Sequence, residues 1–188
     1  AFVEPRFKSY AGNFGFAGFE KWRDLLTNDT DKKGWRTLFE SPAHAMVALK
    51  RTYECARYHV TPPAAGRPLY ADFLDEAAGV VGEERYAEAA ALLRQSAAVW
   101  DDVADLALPE GDGELGRARR LVEELHDVLR ERGSRGMDDV VELRVQLAEL
   151  PGQSTLTPDQ VVPIYDQLAE RVDRILSLER EALGLLGS

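Results

Sequence analysis

Residues 83–107, EERYAEAAALLRQSAAVWDDVADLA, decide the fold. Tyr86, Ala90, Leu93, Ala97, Trp100, Ala104 and Ala107 recur at alternating steps of four and three, which draws one apolar seam down a helix. At 1.5 Å per residue such a helix is about 37 Å long. Its small alanines alternate with Leu93 and Trp100, so neighbouring helices can approach closely between bulky anchors. The stretch is therefore predicted to be the central helix of an all-α fold, a single bundle of about six to seven helices.

The segments on either side agree. Residues 1–13, AFVEPRFKSYAGN, have no helical period and read as an extended lead-in. From Asn13, a good N-cap, a first helix places Phe14, Gly18, Trp22 and Leu25 on one face. Gly15 and Gly18 each lower its intrinsic stability by roughly 1 kcal/mol, and close backbone approach is the expected reason for keeping them. NDTDKKGW then reads as a turn, and Ser41-Pro42 as a helix start. The second helix, from Pro42 to about His59, presents Met46, Leu49, Tyr53 and Ala56, and Thr61-Pro62-Pro63 ends it. A third, from Leu69 to about Val81, is predicted with Leu69, Phe73, Ala77 and Val80 inward and Asp72, Asp75 and Glu76 along another side.

Beyond the central helix, EGDGELG forms a loop. A helix from Glu114 to Arg132 shows Leu115, Ala118, Val122, Leu125 and Leu129 in four-three steps. Another, Asp138 to Leu150, carries Val140, Leu143, Leu147 and Leu150, and Pro151-Gly152 is expected to close it. Thr157-Pro158-Asp159-Gln160 reads as a capping box for a last helix reaching about Gly184, with Val161, Leu168, Val172 and Ile175 inward. No stretch of alternating β-branched residues competes.

A chain of 188 residues, 45% of them hydrophobic, supports one core, so residues 1–188 are expected to form a single helical domain. No apolar run approaches the roughly 18 residues of a membrane span. A lone cysteine, Cys55, rules out an internal disulfide and suits a reducing cytosol, so a cytoplasmic location is expected. The first residue is Ala1 rather than Met, and the expectation is the C-terminal part of a longer protein.

The net charge of −10 disfavours nucleic acid as a partner. It is unevenly spread: residues 1–70 carry 11 Lys+Arg against 7 Asp+Glu, and residues 71–188 carry 12 against 26, so +4 faces −14. Lys21, Arg23, Lys32, Lys33 and Arg36 supply most of the basic excess. A solvated face is the plain reading of such a run, and a surface for an anionic partner the sharper one.

Chemical motifs are sparse. Cys55 and His59 are four residues apart on one predicted helix, but Cys55 falls near its C-terminal end, whose partial negative charge opposes a thiolate. A buried structural cysteine is expected. Glu123 and His126 form one Glu-x-x-His pair, whereas a di-iron carboxylate site needs two such pairs and two further glutamates. With three histidines in the chain, no metal site is expected. HExxH, Gly-rich phosphate loops and GxSxG elbows are absent from the sequence, and neither a cofactor nor a catalytic residue is assigned. Asp72, Asp75 and Glu76, beside Tyr70 and after Arg67, can converge for acid–base work if buried, or stand as a solvated row paired with arginines.

Three stretches together, NFGFAGFEKWRDLLTNDTDKKGWRTLF at 13–39, RPLYADFLDEAA at 67–78 and the long helix with Trp100, carry a family likeness. They resemble the helical C-terminal domain, of unknown function, of butirosin-biosynthesis-protein-H-like proteins. In that family a preceding domain resembles a papain-like cysteine peptidase, and the namesake moves an acyl group from an acyl carrier protein to an aminoglycoside amine. The resemblance implies a catalytic N-terminal domain of the same protein as partner, and this chain as its substrate-shaping or docking half. Neither the cysteine nor the histidine of that preceding domain has a counterpart here.

An acidic carrier protein would meet Lys21, Lys32, Lys33 and Arg36, because complementary charge speeds encounter. A polycationic substrate would meet Tyr70, Asp72, Asp75 and Glu76. The contrasting expectation is a non-enzymatic interaction or oligomerisation module, a homodimer pairing through partly exposed faces of the central helix and the one after it.

Overall fold

The structure is a computed structural model that describes residues 15–59 and 66–187. The expected lead-in, the Asn13 cap, Phe14 and the Thr61-Pro62-Pro63 stop lie outside those residues. The described chain is helical, with no strand among the described residues. In order come α1 (Gly15–Thr27), a one-turn α2 (Trp35–Leu38), α3 (Pro42–Glu54), α4 (Arg67–Val81), α5 (Glu84–Ala107), α6 (Glu114–Arg132), α7 (Met137–Gln153) and α8 (Pro158–Gly187). A wide π-type turn, Cys55–His59, carries α3 onward, and a 3-10 turn, Gly133–Gly136, joins α6 to α7.

The start signals act as their chemistry dictates. Ser41 Oγ accepts the His44 N–H at 3.3 Å with Pro42 at the first turn. At α8 half of the capping box forms. The Thr157 N–H donates to Gln160 Oε1 at 2.9 Å, but the Gln160 N–H goes to the Thr157 carbonyl rather than to its hydroxyl. Pro151 does not close α7 and instead sits in its last turn, with the Ser154 N–H reaching the Pro151 carbonyl at 3.3 Å. Gly15 adopts φ 59° with open space around its α-carbon, so backbone conformation, not close approach, is what asks for glycine there.

α5 is the axis of the bundle, packed along α8 on one side and α4 on another, with α3 alongside. Because two neighbours cover it, burial spreads beyond the predicted seam to Ala89, Ser96 and Val103, while Tyr86 is half-buried. The main core joins α5 to α3, α6, α7 and α8 through side chains such as Leu49, Val103, Val122, Leu147 and Leu168. Each is worth roughly 1.5–3 kcal/mol of burial. A smaller cluster of Ala71, Leu74, Ala89, Ala90, Leu93 and Ala182 seals α4 against α5 and α8.

The inward face of α4 is not the predicted one. Ala71 and Leu74 are buried, whereas Leu69, Phe73 and Val80 are 78%, 58% and 85% exposed. Both sets have helical spacing. The surface opposite chooses between them: Ala89, Ala90 and Ala182 let α4 come close, and close approach favours Ala71 over Phe73. The faces of α5 and α6 offered for dimerisation are likewise taken up inside the bundle, where Ala97, Ala104, Ala118, Val122 and Leu125 are buried. Among the described residues, no helix is long and apolar enough to cross a membrane.

Candidate binding pocket

All three tryptophans of the chain converge on one pocket. Trp22 from α1 lies nearly parallel to Trp100 from α5, centroids 6.3 Å apart at 18°. Phe19 meets Trp100 edge-on at 5.7 Å. Trp35 leans on Trp22 at 6.4 Å and on Phe39 at 5.0 Å. Between these rings and the Ala48–Ala56 side of α3 lies an open cavity of about 450 Å³.

Local sequence explains how α2 delivers Trp35. Asn28 Oδ1 accepts the N–H groups of Thr30 and Asp31, at 2.9 and 2.8 Å, and so folds the 28–34 turn on itself. Gly34 closes the turn so tightly that a β-carbon there would sit 2.1 Å from the Asn28 carbonyl oxygen. Lys32 and Lys33 stand exposed on this turn's tip.

One wall is charged. Arg67, the first residue of α4, donates from Nε and Nη2 to the two oxygens of Glu179 on α8, at 2.7 and 2.9 Å. Ser96 Oγ of α5 donates to the same carboxylate at 2.8 Å. Glu179 is 1% exposed, and the Arg67 guanidinium lies 5.7 Å from the Trp100 ring centroid. This wall ties α4, α5 and α8 together beside the rings. Cys55 also lines the pocket and is half-buried, so it is not the buried residue expected. No hydrogen bond joins it to His59 among the described residues; His59 instead meets His126 edge-on at 5.5 Å.

A second cleft of about 370 Å³, with charged groups around an apolar floor of Leu125, Leu129 and Leu147, lies against the other side of α3. Lys50, Arg51, His59, His126 and Arg144 face it, and Glu54 is its one carboxylate among the described residues. Lys50 Nζ and Arg51 Nη1 bond Glu54 at 3.1 and 3.0 Å. Burial would raise the Glu54 carboxyl, but the hydrogen bonds from Arg51 and Lys50 outweigh it and hold the group below its ordinary range. Burial, then the neighbouring His59, pushes His126 below its usual 6.5. Its ring stacks on Tyr58 at 3.7 Å. Glu123, the other half of the Glu-x-x-His pair, accepts instead from Tyr53 Oη at 2.7 Å and Arg119 Nε at 2.9 Å.

The residues singled out from sequence lie elsewhere. Asp72 and Asp75 do share a face, and both reach Arg94 Nη2 of α5, at 2.9 and 2.5 Å. All three are exposed, as are Tyr70, stacked on Phe73 at 6.0 Å, and Glu76. The convergence is present and the burial that acid–base work asks for is not. In the basic set, Lys21 is exposed and Arg36 is held by Asp166 of α8. The sequence carries only a compositional sign of the aromatic pocket, the crowding of Phe16, Phe19, Trp22, Trp35 and Phe39 into one short stretch, and nothing local places those rings around one cavity.

A family model described as a domain of unknown function, DUF4872, matches residues 8–140, well over half of the chain. The chain belongs to the DUF4872 family. The match spans α1 to α6, and so includes Trp22, Trp35, Trp100 and Cys55, while α8, which supplies Glu179, lies beyond the matched DUF4872 residues. No curated protein and no solved structure matches the chain.

Proposed function

We propose that this DUF4872 chain is a ligand-shaping domain that holds an apolar molecule for chemistry carried out by a neighbouring domain. The observation that supports this reading is the open cavity of about 450 Å³ walled by Trp22, Trp35 and Trp100. Concave, mostly apolar cavities with a few polar groups are where small molecules bind. Among the described residues no base is bonded to the thiol on its wall, and we assign the nucleophile to the neighbouring domain. The finer reading follows from the resemblance of residues 13–39 and 67–78. The parent protein is then a butirosin-biosynthesis-protein-H-like acyltransferase or amidohydrolase-like enzyme of specialised metabolism. Its papain-like domain acts, and an acyl carrier protein supplies the acyl group.

Titration with N-phenyl-1-naphthylamine, followed by its fluorescence, tests the pocket. Saturable binding that slows alkylation of Cys55 is expected. Absence of binding, or acyl-thioester turnover by this chain alone, overturns the proposal.

An oligomerisation module is the second reading, and one observation favours it: Met137, Val141 and Val145 form an exposed i, i+4, i+8 row on α7. Elution as a stable dimer that Val141→Glu converts to monomer would support it, and monomeric elution of the unaltered chain would end it.

A further inference from the structure

Arg51 lines both the aromatic pocket and the second, charge-rimmed cleft. It stands on the ridge of α3, with Ala48, Thr52 and Cys55 turned to the rings and Lys50 and Glu54 to the cleft. We infer that the two cavities form one site, for a ligand with a flat apolar body seated among the tryptophans and an anionic head held in the cleft. This rests on the pocket reading above and goes beyond it by naming the ligand's charge and shape.

The charge balance argues for the head. Lys50, Arg51 and Arg144 outnumber the single carboxylate Glu54, a local positive excess on a chain whose net charge is −10. Glu54 is already bonded to Lys50 and Arg51. Arg144, reaching in from α7, has no carboxylate partner among the described residues, as is also true of Arg135 and Arg174, but of these it alone lines the cleft, where Lys50 and Arg51 are already held by Glu54. An arginine left unpaired at a concave site offers forked donors to a carboxylate, sulfonate or phosphate. The body is argued from the walls: rings at 18°, 47° and 61° to one another present flat faces and edges to another ring.

Two probes share one ring system and differ by a sulfonate: 8-anilinonaphthalene-1-sulfonate and N-phenyl-1-naphthylamine. The sulfonate is expected to bind about tenfold more tightly, a gap that narrows as salt rises. Arg144→Gln, an exposed position, should weaken the sulfonate about fivefold and leave the neutral probe unchanged, with an unaltered melting temperature. Both probes should protect Cys55 from iodoacetamide. Equal affinity for the two probes, or sulfonate binding indifferent to Arg144→Gln, overturns the anionic-head inference while leaving the pocket standing. Failure of both probes to bind sinks the pocket reading itself.

Discussion

The Arg67 guanidinium and the Glu179 carboxylate form a two-point pair inside the bundle, 2.7 and 2.9 Å, joining the start of α4 to α8 across the end of the aromatic pocket. Desolvating both charges is costly, and the parallel bonds with the added Ser96 hydroxyl are what offset it. Such a pair fixes the mutual position of two helices more than it adds stability.

Removing one partner of this pair leaves the other buried without its counter-charge. Glu179→Ala is expected to cost about 3–5 kcal/mol in denaturant unfolding. Arg94→Ala, which breaks the exposed pairs to Asp72 and Asp75, should leave the denaturant midpoint close to that of the unaltered chain. Equal costs would show that Glu179 is not the structural tie described.

Gly34→Ala places a methyl group 2.1 Å from the Asn28 carbonyl oxygen, a backbone atom that cannot step aside. The φ of −60° at Gly34 suits alanine, so the penalty is steric alone, about 1–3 kcal/mol, and it should reduce probe binding by shifting Trp35. Gly79→Ala, in open space on α4, is the control and should stabilise by about 1 kcal/mol. Thermal melts of the two variants moving in the same direction would contradict this geometry.

His126 and Glu54 both have folded values depressed below their ordinary ones, so the unfolded chain binds more protons and stability rises with pH across each window. For His126 the stability is complete above 6.5 and declines as pH falls below it, as the unfolded chain protonates first. For Glu54 the decline begins below 4.5 and runs until the folded carboxyl protonates. His126→Phe keeps a ring against Tyr58 and removes the first step. Urea midpoints between pH 7 and 5 should then be flatter than in the unaltered chain.

Charge reversal at Lys32 and Lys33 should leave the unfolding free energy within about 0.5 kcal/mol of the original, because both lie exposed on a turn held by backbone and Asn28. If an acidic carrier protein docks on this side, association at low salt should slow about tenfold in the double variant. An unchanged on-rate would remove this turn from any docking surface.

The periodicity of residues 83–107 was enough to determine an all-α bundle with α5 at its axis, because four-three spacing alone dictates one buried stripe on a helix. Ser41-Pro42 and the 114–132 seam were legible for the same reason: capping and spacing are local properties of the chain. What α4 buries was not legible, since Ala71–Leu74 and Leu69–Phe73 obey the same period and only the alanines of α5 and α8 choose between them. The pocket was hidden too. Trp22, Trp35 and Trp100 are brought together by a turn closed on Gly34 and by helices far apart in sequence, and Arg67 finds Glu179 over 112 residues. Spacing along a chain carries the identity of a helix face, but which face meets which, and what space remains between them, is settled by the shape and charge of surfaces that only the folded bundle brings together.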